Sequence, residues 1–327
     1  MKYLLTLAAA VAAALALATV ARAGSAAPGL SFGPADWLTA LAAHPDDPKP
    51  IHRPRSTPSL YERTVDPSVL RRQGCDAAKK GVDGIVILDF GKLAYDGRSY
   101  GTILFSDTFA SNRAITQAML GWAQGYAGCL ADGSSAHVDL ARGTSNYHPA
   151  VPSVFRAGRL WARETEALGI MLHTRGLDEH VWTAAADDAE PAWDPGFRKT
   201  RDFFRGYRAA GNGRLLYNYG SLDGGVGSYW TARQLFYVSG GMRYARVVPE
   251  IYNEAMAAQW AELAAVVRQT LHRDVRFAGV MTQYATGCGC SLTPPRAHST
   301  LVRALADSVG DAAPEVPAAV TNITAPR

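Results

Sequence analysis

The sequence lacks several motifs that identify large enzyme classes. It has no His-Glu-x-x-His zinc motif, no P-loop, and no Gly-x-Gly-x-x-Gly turn after a predicted strand. Its eight histidines are scattered, and its four cysteines leave no second pair at zinc-ligand spacing. Zinc proteases, P-loop nucleotide hydrolases and dinucleotide-dependent oxidoreductases are therefore excluded. Neither a metal nor a cofactor is expected.

Long apolar runs are missing after residue 23, where none approaches the about 20 residues of a membrane span. The one such run lies at the start: Lys2 precedes an apolar stretch from Leu4 to Val20, and Ala21-Arg22-Ala23 is a small-x-small cleavage site. Residues 1–23 are therefore predicted to be a signal peptide that is cleaved after Ala23. The mature protein is expected to be secreted, extracellular and free of the membrane.

A strong excess of charge is missing as well. The formal net charge is +4, and removal of Lys2 and Arg22 with the signal peptide reduces it to +2 (4 − 2). A value so near neutrality does not indicate a nucleic-acid partner. About 300 residues remain, which is an ordinary size for one barrel domain, and a monomer is expected.

Four cysteines in an exported chain allow disulfide bonds with three possible pairings. Cys75 precedes the first predicted strand and Cys129 follows the first predicted helix, so both belong to the N-terminal end of a βα barrel. Cys288 and Cys290 follow the last predicted strand, at the opposite end. A Cys75–Cys129 bond is therefore predicted, and the Cys288–Cys290 pair either closes on itself or stays reduced.

Strand and helix patterns alternate through residues 81–309. Residues 24–80 are predicted to be a linker or strap, and residues 310–327 a flexible tail. The predicted strands are Ile85–Phe90, His137–Ala141, Val181–Ala186, Leu215–Tyr219, Arg246–Ile251 and Arg276–Tyr284. The predicted helices are Ser111–Tyr126, Ser153–Leu168, Pro195–Ala209, Tyr229–Tyr237, Glu254–Leu271 and Arg296–Val309.

This alternation predicts an α/β fold with a parallel sheet, either closed into a barrel or open and doubly wound. Polar side chains end nearly every predicted strand, as a barrel requires, because all carboxyl ends of its strands meet at one mouth. An open sheet would concentrate them at one switch point. We therefore predict a TIM-type βα barrel with six clear βα units. Tyr100–Phe105 is a candidate further strand in a barrel of seven or eight.

The segment that follows the third predicted strand is rich in carboxylates. Side chains alternate along a strand, so Asp188 and Glu190 share one face and Asp187 takes the other. Neighbouring acids raise the pKa of at least one of them, which is typical of active sites, although a solvated acidic turn is the alternative. Asp89 ends the first predicted strand, where it either joins the site or caps a turn. Glu250 ends the fifth, and a buried carboxylate there needs a partner or a function.

Aromatic and amide side chains accompany these acids, which is the chemistry of sugar recognition: acids cleave the glycosidic bond, rings stack on pyranose faces, and amides bind hydroxyls. Trp193 and Trp230 can alternatively be core residues. The predicted catalytic residues are Glu190, Glu250, Asp188 and Asp89, with the carboxyls of Glu190 and Glu250 expected about 5–9 Å apart on one rim. The predicted substrate-binding residues are Asn218, Tyr219, Tyr252, Gln283, Tyr284, Trp193 and Trp230.

Asp89, the Asp188-Ala-Glu190 motif and Gln283-Tyr284 resemble the family-25 glycoside hydrolases, the muramidase-type lysozymes. The resemblance implies a βα barrel in which Glu190 is the general acid, with Asp188 and Asp89 as electrostatic partners or base. Thr282 replaces the aromatic residue that usually precedes Gln-Tyr in that family, and Pro249–Asn253 is outside its pattern. A divergent secreted glycoside-hydrolase-like barrel that cleaves a polysaccharide or peptidoglycan-like glycan is therefore expected. The alternatives are a non-catalytic carbohydrate-binding barrel and a structural protein of the cell wall.

Overall fold

The computed structural model describes residues 55–211, 213–284 and 291–325. The predicted signal peptide, most of the predicted linker and the Cys288–Cys290 pair lie outside these ranges. Within them, the strands are β1 Arg55–Tyr61, β2 Gly84–Tyr95, β3 Tyr100–Ile103, β4 Phe109–Ser111, β5 Val138–Ala150, β6 Val181–Asp188, β7 Leu216–Asn218, β8 Ala245–Val247, β9 Val280–Thr282 and β10 Ala319–Thr324. The helices are α1 Pro67–Lys79, α2 Asn112–Cys129, α3 Val154–Thr174, α4 Arg198–Ala209, α5 Ala232–Phe236, α6 Glu254–Leu271 and α7 Pro294–Val309.

Eight parallel strands pair side by side in the order β8-β7-β6-β5-β2-β1-β10-β9. The bridges Val247–Phe277 and Glu250–Met281 join the β8 and β9 ends, so the sheet is a nearly closed barrel. Strands β3 and β4 form an antiparallel hairpin on β2 and do not enter the barrel wall. The predicted TIM-type (βα) barrel is therefore confirmed, with eight strands.

Local sequence signals begin the helices where the barrel needs them. Ser111, Ser153 and Asn253 cap α2, α3 and α6 by accepting hydrogen bonds from backbone N–H groups of the first turn. The predicted range of α6 is observed without change, because its cap and its apolar periodicity are both strong. None of the helices in the described ranges is long and apolar enough to cross a membrane.

The inner face of the barrel carries small side chains on one strand and large ones on its neighbour. In β6, Ala184 and Ala186 face inward, and the period of two places Asp188 on the same face. In β7 and the residue after it, Tyr217 and Tyr219 fill the space that the alanines leave. This packing delivers Asp188 and Tyr219 to the carboxyl end of the barrel.

The barrel begins and ends in segments that the sequence analysis assigned to a linker and a tail. Strand β1 and helix α1 lie within residues 24–80, and β10 lies within 310–327, so both boundaries of the predicted barrel were wrong. The reason is that these strands face the barrel interior with hydroxyls. Ser59 Oγ contacts Thr321 Oγ1 at 2.5 Å and accepts a hydrogen bond from Ile87 N at 2.7 Å. A polar strand of this kind has no hydrophobic alternation to recognise.

Two further predictions concern the first helices. The Cys75–Cys129 disulfide is confirmed and joins α1 to the end of α2. These helices pack closely through glycine: a Cβ on Gly125 would lie 1.9 Å from the Arg71 carbonyl oxygen. The candidate strand Tyr100–Phe105 corresponds to β3, which belongs to the hairpin and is not the seventh barrel strand.

Candidate active site

Three carboxylates meet at the carboxyl end of the barrel. Asp188 is the last residue of β6, Glu190 follows two residues later, and Glu250 follows β8. One carboxylate oxygen from each of the three lies within 4.8 Å of the others. Glu190 and Glu250 thus lie on one rim, as predicted, but their oxygens approach within 4.8 Å, which is closer than the expected 5–9 Å.

Strand β6 buries both of its terminal aspartates, Asp187 to 1% exposure and Asp188 to 8%. Burial raises the pKa of each carboxyl well above its usual range, and neighbouring acids raise it further: Asp89 acts on Asp187, and Glu250 acts most strongly on Asp188. Asp187 Oδ2 and Asp188 Oδ1 have no hydrogen-bond partner among the described residues. A Cβ on Gly220 would lie 2.9 Å from Asp188 Oδ1, so the neighbouring loop needs glycine there.

Glu190 is held in place by its backbone. Asn146 Oδ1 accepts a hydrogen bond from Glu190 N at 3.1 Å, and Asn146 Nδ2 donates to Glu190 O at 2.9 Å. Burial and the negative charge of Asp223 raise the pKa of the Glu190 carboxyl to about 7, against hydrogen bonds from Ser221 that lower it. The Glu190 side chain is therefore placed to exchange a proton near neutral pH.

Glu250 is almost fully buried at 7% exposure, and its Oε1 accepts a hydrogen bond from the Tyr252 hydroxyl at 2.5 Å. Burial raises the pKa of Glu250 to about 8, although the Tyr252 bond lowers it. Because the pKa values of Glu190 and Glu250 are close and the two groups interact, they titrate as a pair. At pH values between about 7 and about 8 the pair holds one proton.

Asp89 lies in β2 at the carboxyl end of the barrel. It has features of both predicted roles, the turn cap and the site residue. Its Oδ1 accepts a hydrogen bond from Gly91 N at 2.8 Å, which is the turn-capping role. Burial also raises its pKa to about 6, against the lowering effect of Gly91 and of the Tyr219 hydroxyl. Tyr219 is buried, and its hydroxyl lies near Asp89 and donates to Thr144 O at 3.1 Å. Asp89 and Tyr219 therefore lie next to the carboxylates, as predicted.

Three residues of this site were missed. Tyr61 at the end of β1 has a pKa raised by burial and by the charges of Asp188, Asp89, Glu250 and Glu190. Ser221 and Asp223 belong to the glycine-rich loop after β7, and Ser221 donates to Asp223 Oδ1 at 2.8 Å. Recognition of β1 as a strand would have placed Tyr61, whereas no sequence signal distinguished Asp223 from an ordinary loop residue.

Trp193 lies in the short turn after Glu190 and is half-buried. Its ring makes an edge contact with Tyr147, with centroids 5.2 Å apart. Tyr147 is 42% exposed and Lys92 Nζ lies 5.6 Å from its centroid. The two rings form an aromatic surface at the rim close to Glu190. Tyr147 was not predicted, because it follows a polar stretch of β5.

Two predicted binding residues are placed elsewhere. Trp230 is 1% exposed, donates from Nε1 to Asp194 O at 2.8 Å and packs against Phe197, so it belongs to the outer core and is not a sugar platform. Asn218 is buried and its Oδ1 accepts from Gly220 N at 3.1 Å, so this oxygen holds the turn after β7. Large aromatics and strand-end amides fill such structural roles often.

Gln283 and Tyr284 follow β9 at the same rim, and both are half-buried. Tyr284 N donates to Asn322 Oδ1 at 2.7 Å, which ties this segment to β10. Tyr252 lies within the carboxylate group through its bond to Glu250. The predicted roles of Gln283 and Tyr284 in binding stay predictions.

The carboxylate spacing would also suit a hard divalent cation, which prefers oxygen ligands. Glu250 Oε1 already accepts the Tyr252 hydroxyl, and Ser221 donates to Glu190. The expectation that no metal is needed stays a prediction.

No family model matches the sequence, and no curated protein matches it. Among solved structures, endoglucanase Cel5A of Pseudomonas stutzeri in complex with cellobiose is similar at 10% identity and a TM-score of 0.41, over 83% of this chain and 84% of that chain. The endo-beta-1,4-mannanase of Thermotoga petrophila is similar at 9% identity and a TM-score of 0.39, over 84% of this chain and 68% of that chain. Both neighbours are glycoside hydrolases. Similarity at this level carries no argument about activity, which must rest on the site itself.

Proposed function

We propose that the protein is a secreted glycoside hydrolase that cleaves an O-glycosidic bond in a polysaccharide or cell-wall glycan. The observation that carries the proposal is the Glu190–Glu250 pair. Two carboxylates with oxygens within 4.8 Å at the mouth of a βα barrel hold a proton near neutrality. Glycosidic cleavage needs one protonated acid and one ionised partner at such a spacing.

We assign the roles of Glu190 and Glu250 from the exposure of their side chains and from their hydrogen bonds. Glu190 is the less buried of the pair and lies beside the aromatic surface, where a leaving group can depart, so we assign it as general acid. Burial raises the pKa of Glu250 to about 8, above the value of about 7 for Glu190, but the Tyr252 hydroxyl donates to Glu250 Oε1 and favours its ionised form. We therefore assign Glu250 as the partner that is ionised when Glu190 holds the shared proton. Asp188 and Asp89 keep the electrostatic role that the sequence resemblance implies.

The close spacing favours the retaining mechanism, in which the carboxyl groups lie about 5–5.5 Å apart. Glu250 attacks the anomeric carbon as Glu190 gives its proton to the leaving oxygen. Glu190 then takes a proton from water, whose oxygen displaces Glu250 and releases the sugar. Trp193 and Tyr147 provide the rings on which a neighbouring sugar stacks.

Reducing-end release from a panel of polysaccharides, including peptidoglycan, tests this proposal. We expect the mature protein to cleave at least one glycan, with and without a chelator, and Glu190→Gln to lose at least about a hundredfold in rate while it still binds. Asp132→Asn, an exposed acid between α2 and β5, is the control and keeps full activity. Binding without cleavage by both wild type and Glu190→Gln would instead identify a carbohydrate-binding barrel, and no glycan binding would leave a structural role.

Export and assembly are part of the same proposal. We expect the mass of secreted material to correspond to a chain that starts at Gly24, and its elution volume to correspond to a monomer. A mass that includes residues 1–23 in the culture supernatant would contradict cleavage at Ala23.

A further inference from the structure

We infer that the site takes a glycan with free amino groups, and that Asp223 binds the ammonium of an amino sugar. This inference rests on the proposed glycoside hydrolase function and names its substrate class. Its basis is an excess of acidic over basic side chains at the barrel mouth. Five carboxyls lie at the site, namely Asp89, Asp188, Glu190, Asp223 and Glu250, and Asp187 is buried on the other face of β6.

Lys92 lies over the Tyr147 ring at the rim, but no basic side chain forms a salt bridge with these acids in the part of the chain that the structure describes. The charges that shift the pKa values of Asp187, Asp188, Glu190 and Glu250 are all those of other acids. None of the six takes part in a described salt bridge. The chain as a whole is slightly basic, with 33 Lys and Arg against 29 Asp and Glu, so the imbalance is local to the mouth.

One buried carboxylate oxygen at the site points to a ligand that donates hydrogen bonds. Asp188 is 92% buried (100 − 8) and faces the barrel interior at the site, yet its Oδ1 lacks a partner among the described residues. An unsatisfied buried acceptor is costly, and a bound donor removes that cost. The free-energy gain is largest when the donor also carries positive charge.

Ligand classes differ in what they offer to this site. A neutral sugar donates from its hydroxyls but brings no positive charge that would favour the ionised form of these acids. A uronic acid or a phosphorylated glycan adds negative charge and is repelled. A protonated amino sugar brings three N–H donors and one positive charge, which is the complement of the observed site.

Asp223 is the acid best placed to bind the ammonium without taking part in the acid–base chemistry. Its two oxygens accept hydrogen bonds from Ser221 Oγ at 2.8 Å and from Ala192 N at 2.7 Å, so its carboxylate is held in a fixed orientation. Its charge acts on both Glu190 and Glu250, which places it beside the reacting bond. An ammonium on Asp223 would also lower the pKa of Glu190, because it cancels the charge that helps to raise it.

Matched pairs of glycans with the same backbone and either free or N-acetylated amines test the inference. Chitosan oligomers, polygalactosamine oligomers and their fully acetylated counterparts are the probes. Binding is measured by calorimetry with Glu190→Gln, which cannot consume them, and cleavage is measured with the wild type. We expect at least one free-amine glycan to bind about tenfold or more tightly than its acetylated counterpart, with a preference that falls as salt increases.

Asp223→Asn is the decisive variant because it removes the charge while its Oδ1 can still accept from Ala192 N and its Nδ2 can donate to Ser221 Oγ. We expect it to raise KM for the free-amine glycan about tenfold, to leave KM for acetylated or neutral glycans unchanged, and to move the basic limb of the pH profile to lower pH. Asp132→Asn is the matched control and changes none of these. The inference is overturned if acetylated or neutral glycans are bound or cleaved as well as the free-amine glycans, or if Asp223→Asn keeps the preference. Cleavage of neutral glycans alone would leave the glycoside hydrolase function intact, whereas no binding of any glycan would overturn both.

Discussion

The Tyr252 hydroxyl donates a hydrogen bond to Glu250 Oε1 across 2.5 Å, and both residues follow β8 at the barrel mouth. This bond is the one described contact that favours the charged form of Glu250, since burial and the neighbouring acids Glu190 and Asp223 all oppose it. Catalysis by the assigned pair therefore depends on this hydrogen bond.

Removal of that hydroxyl should therefore slow the reaction and shift its pH dependence. Tyr252→Phe is expected to lower kcat about tenfold or more and to move the acidic limb of the pH–rate profile up by about one to two pH units. Tyr244→Phe, at the other end of β8, is the matched control. An unchanged acidic limb in Tyr252→Phe would show that the ionised partner is not Glu250.

The stability of the protein should fall as the pH rises, because its buried acids favour the protonated form. Glu62 is an example: it is fully buried beside Asp89, Gln73 donates to its Oε2 at 3.3 Å, and burial, with a smaller effect of the Asp89 charge, raises its pKa from 4.5 to about 7. Its favourable contribution is complete below pH 4.5 and is lost as the pH rises through 7. Glu62→Gln should therefore increase the free energy of unfolding by about 1–3 kcal/mol at pH 8.

Urea denaturation at pH 8 and pH 4.5 measures this effect, and the difference between Glu62→Gln and wild type should shrink at the lower pH. Glu315→Gln, at an exposed position, is the control and should show no such dependence. A variant that is destabilised equally at both pH values would mean that Glu62 acts through its hydrogen bond with Gln73 and not through its charge.

The disulfide should stabilise the barrel without touching the chemistry. Cys75 and Cys129 are 54 residues apart in sequence and lie on α1 and α2, at the end of the barrel opposite the carboxylates. Replacement of both by alanine is expected to lower the free energy of unfolding by about 2–4 kcal/mol and to leave kcat and KM unchanged at temperatures where the variant is folded. Alkylation of Cys75 in unreduced wild type would contradict the bond itself.

The acidic segment and the barrel were predictable because they follow simple periodicities. The alternation along Val181–Asp188 predicted that Asp188 lies on the inner face. Glu250 and Asp89 were predicted as site residues because each ends a predicted strand. Tyr61 was missed because β1 pairs through serine and threonine hydroxyls inside the barrel, which gives no hydrophobic pattern. Trp230 was misplaced because an aromatic near a strand end packs as readily into the outer core as into a pocket.

The position of Asp223 at the site could not be predicted from the sequence. Its loop, Gly220 to Gly227, contains no catalytic motif, and only the fold brings it to Glu190 and Glu250. The proton shared by that pair likewise depends on burial, which a strand-end position indicates only in general terms. The balance of charge at the barrel mouth depends on side chains from several loops, so no single segment of the sequence predicts it.

The most direct test uses Glu190→Gln with an aryl glycoside of the sugar that the panel identifies. A good leaving group needs no acid, so the first step proceeds: Glu250 bonds to the anomeric carbon and the phenolate departs. The second step needs Glu190 to take a proton from water, so the glycosyl-enzyme should accumulate. Mass spectrometry of the acid-quenched protein should show the mass of one added glycosyl group on the peptide that contains Glu250, and none in Glu190→Gln/Glu250→Gln. A burst of phenolate with no adduct, or an adduct on any residue other than Glu250, would contradict the assigned pair.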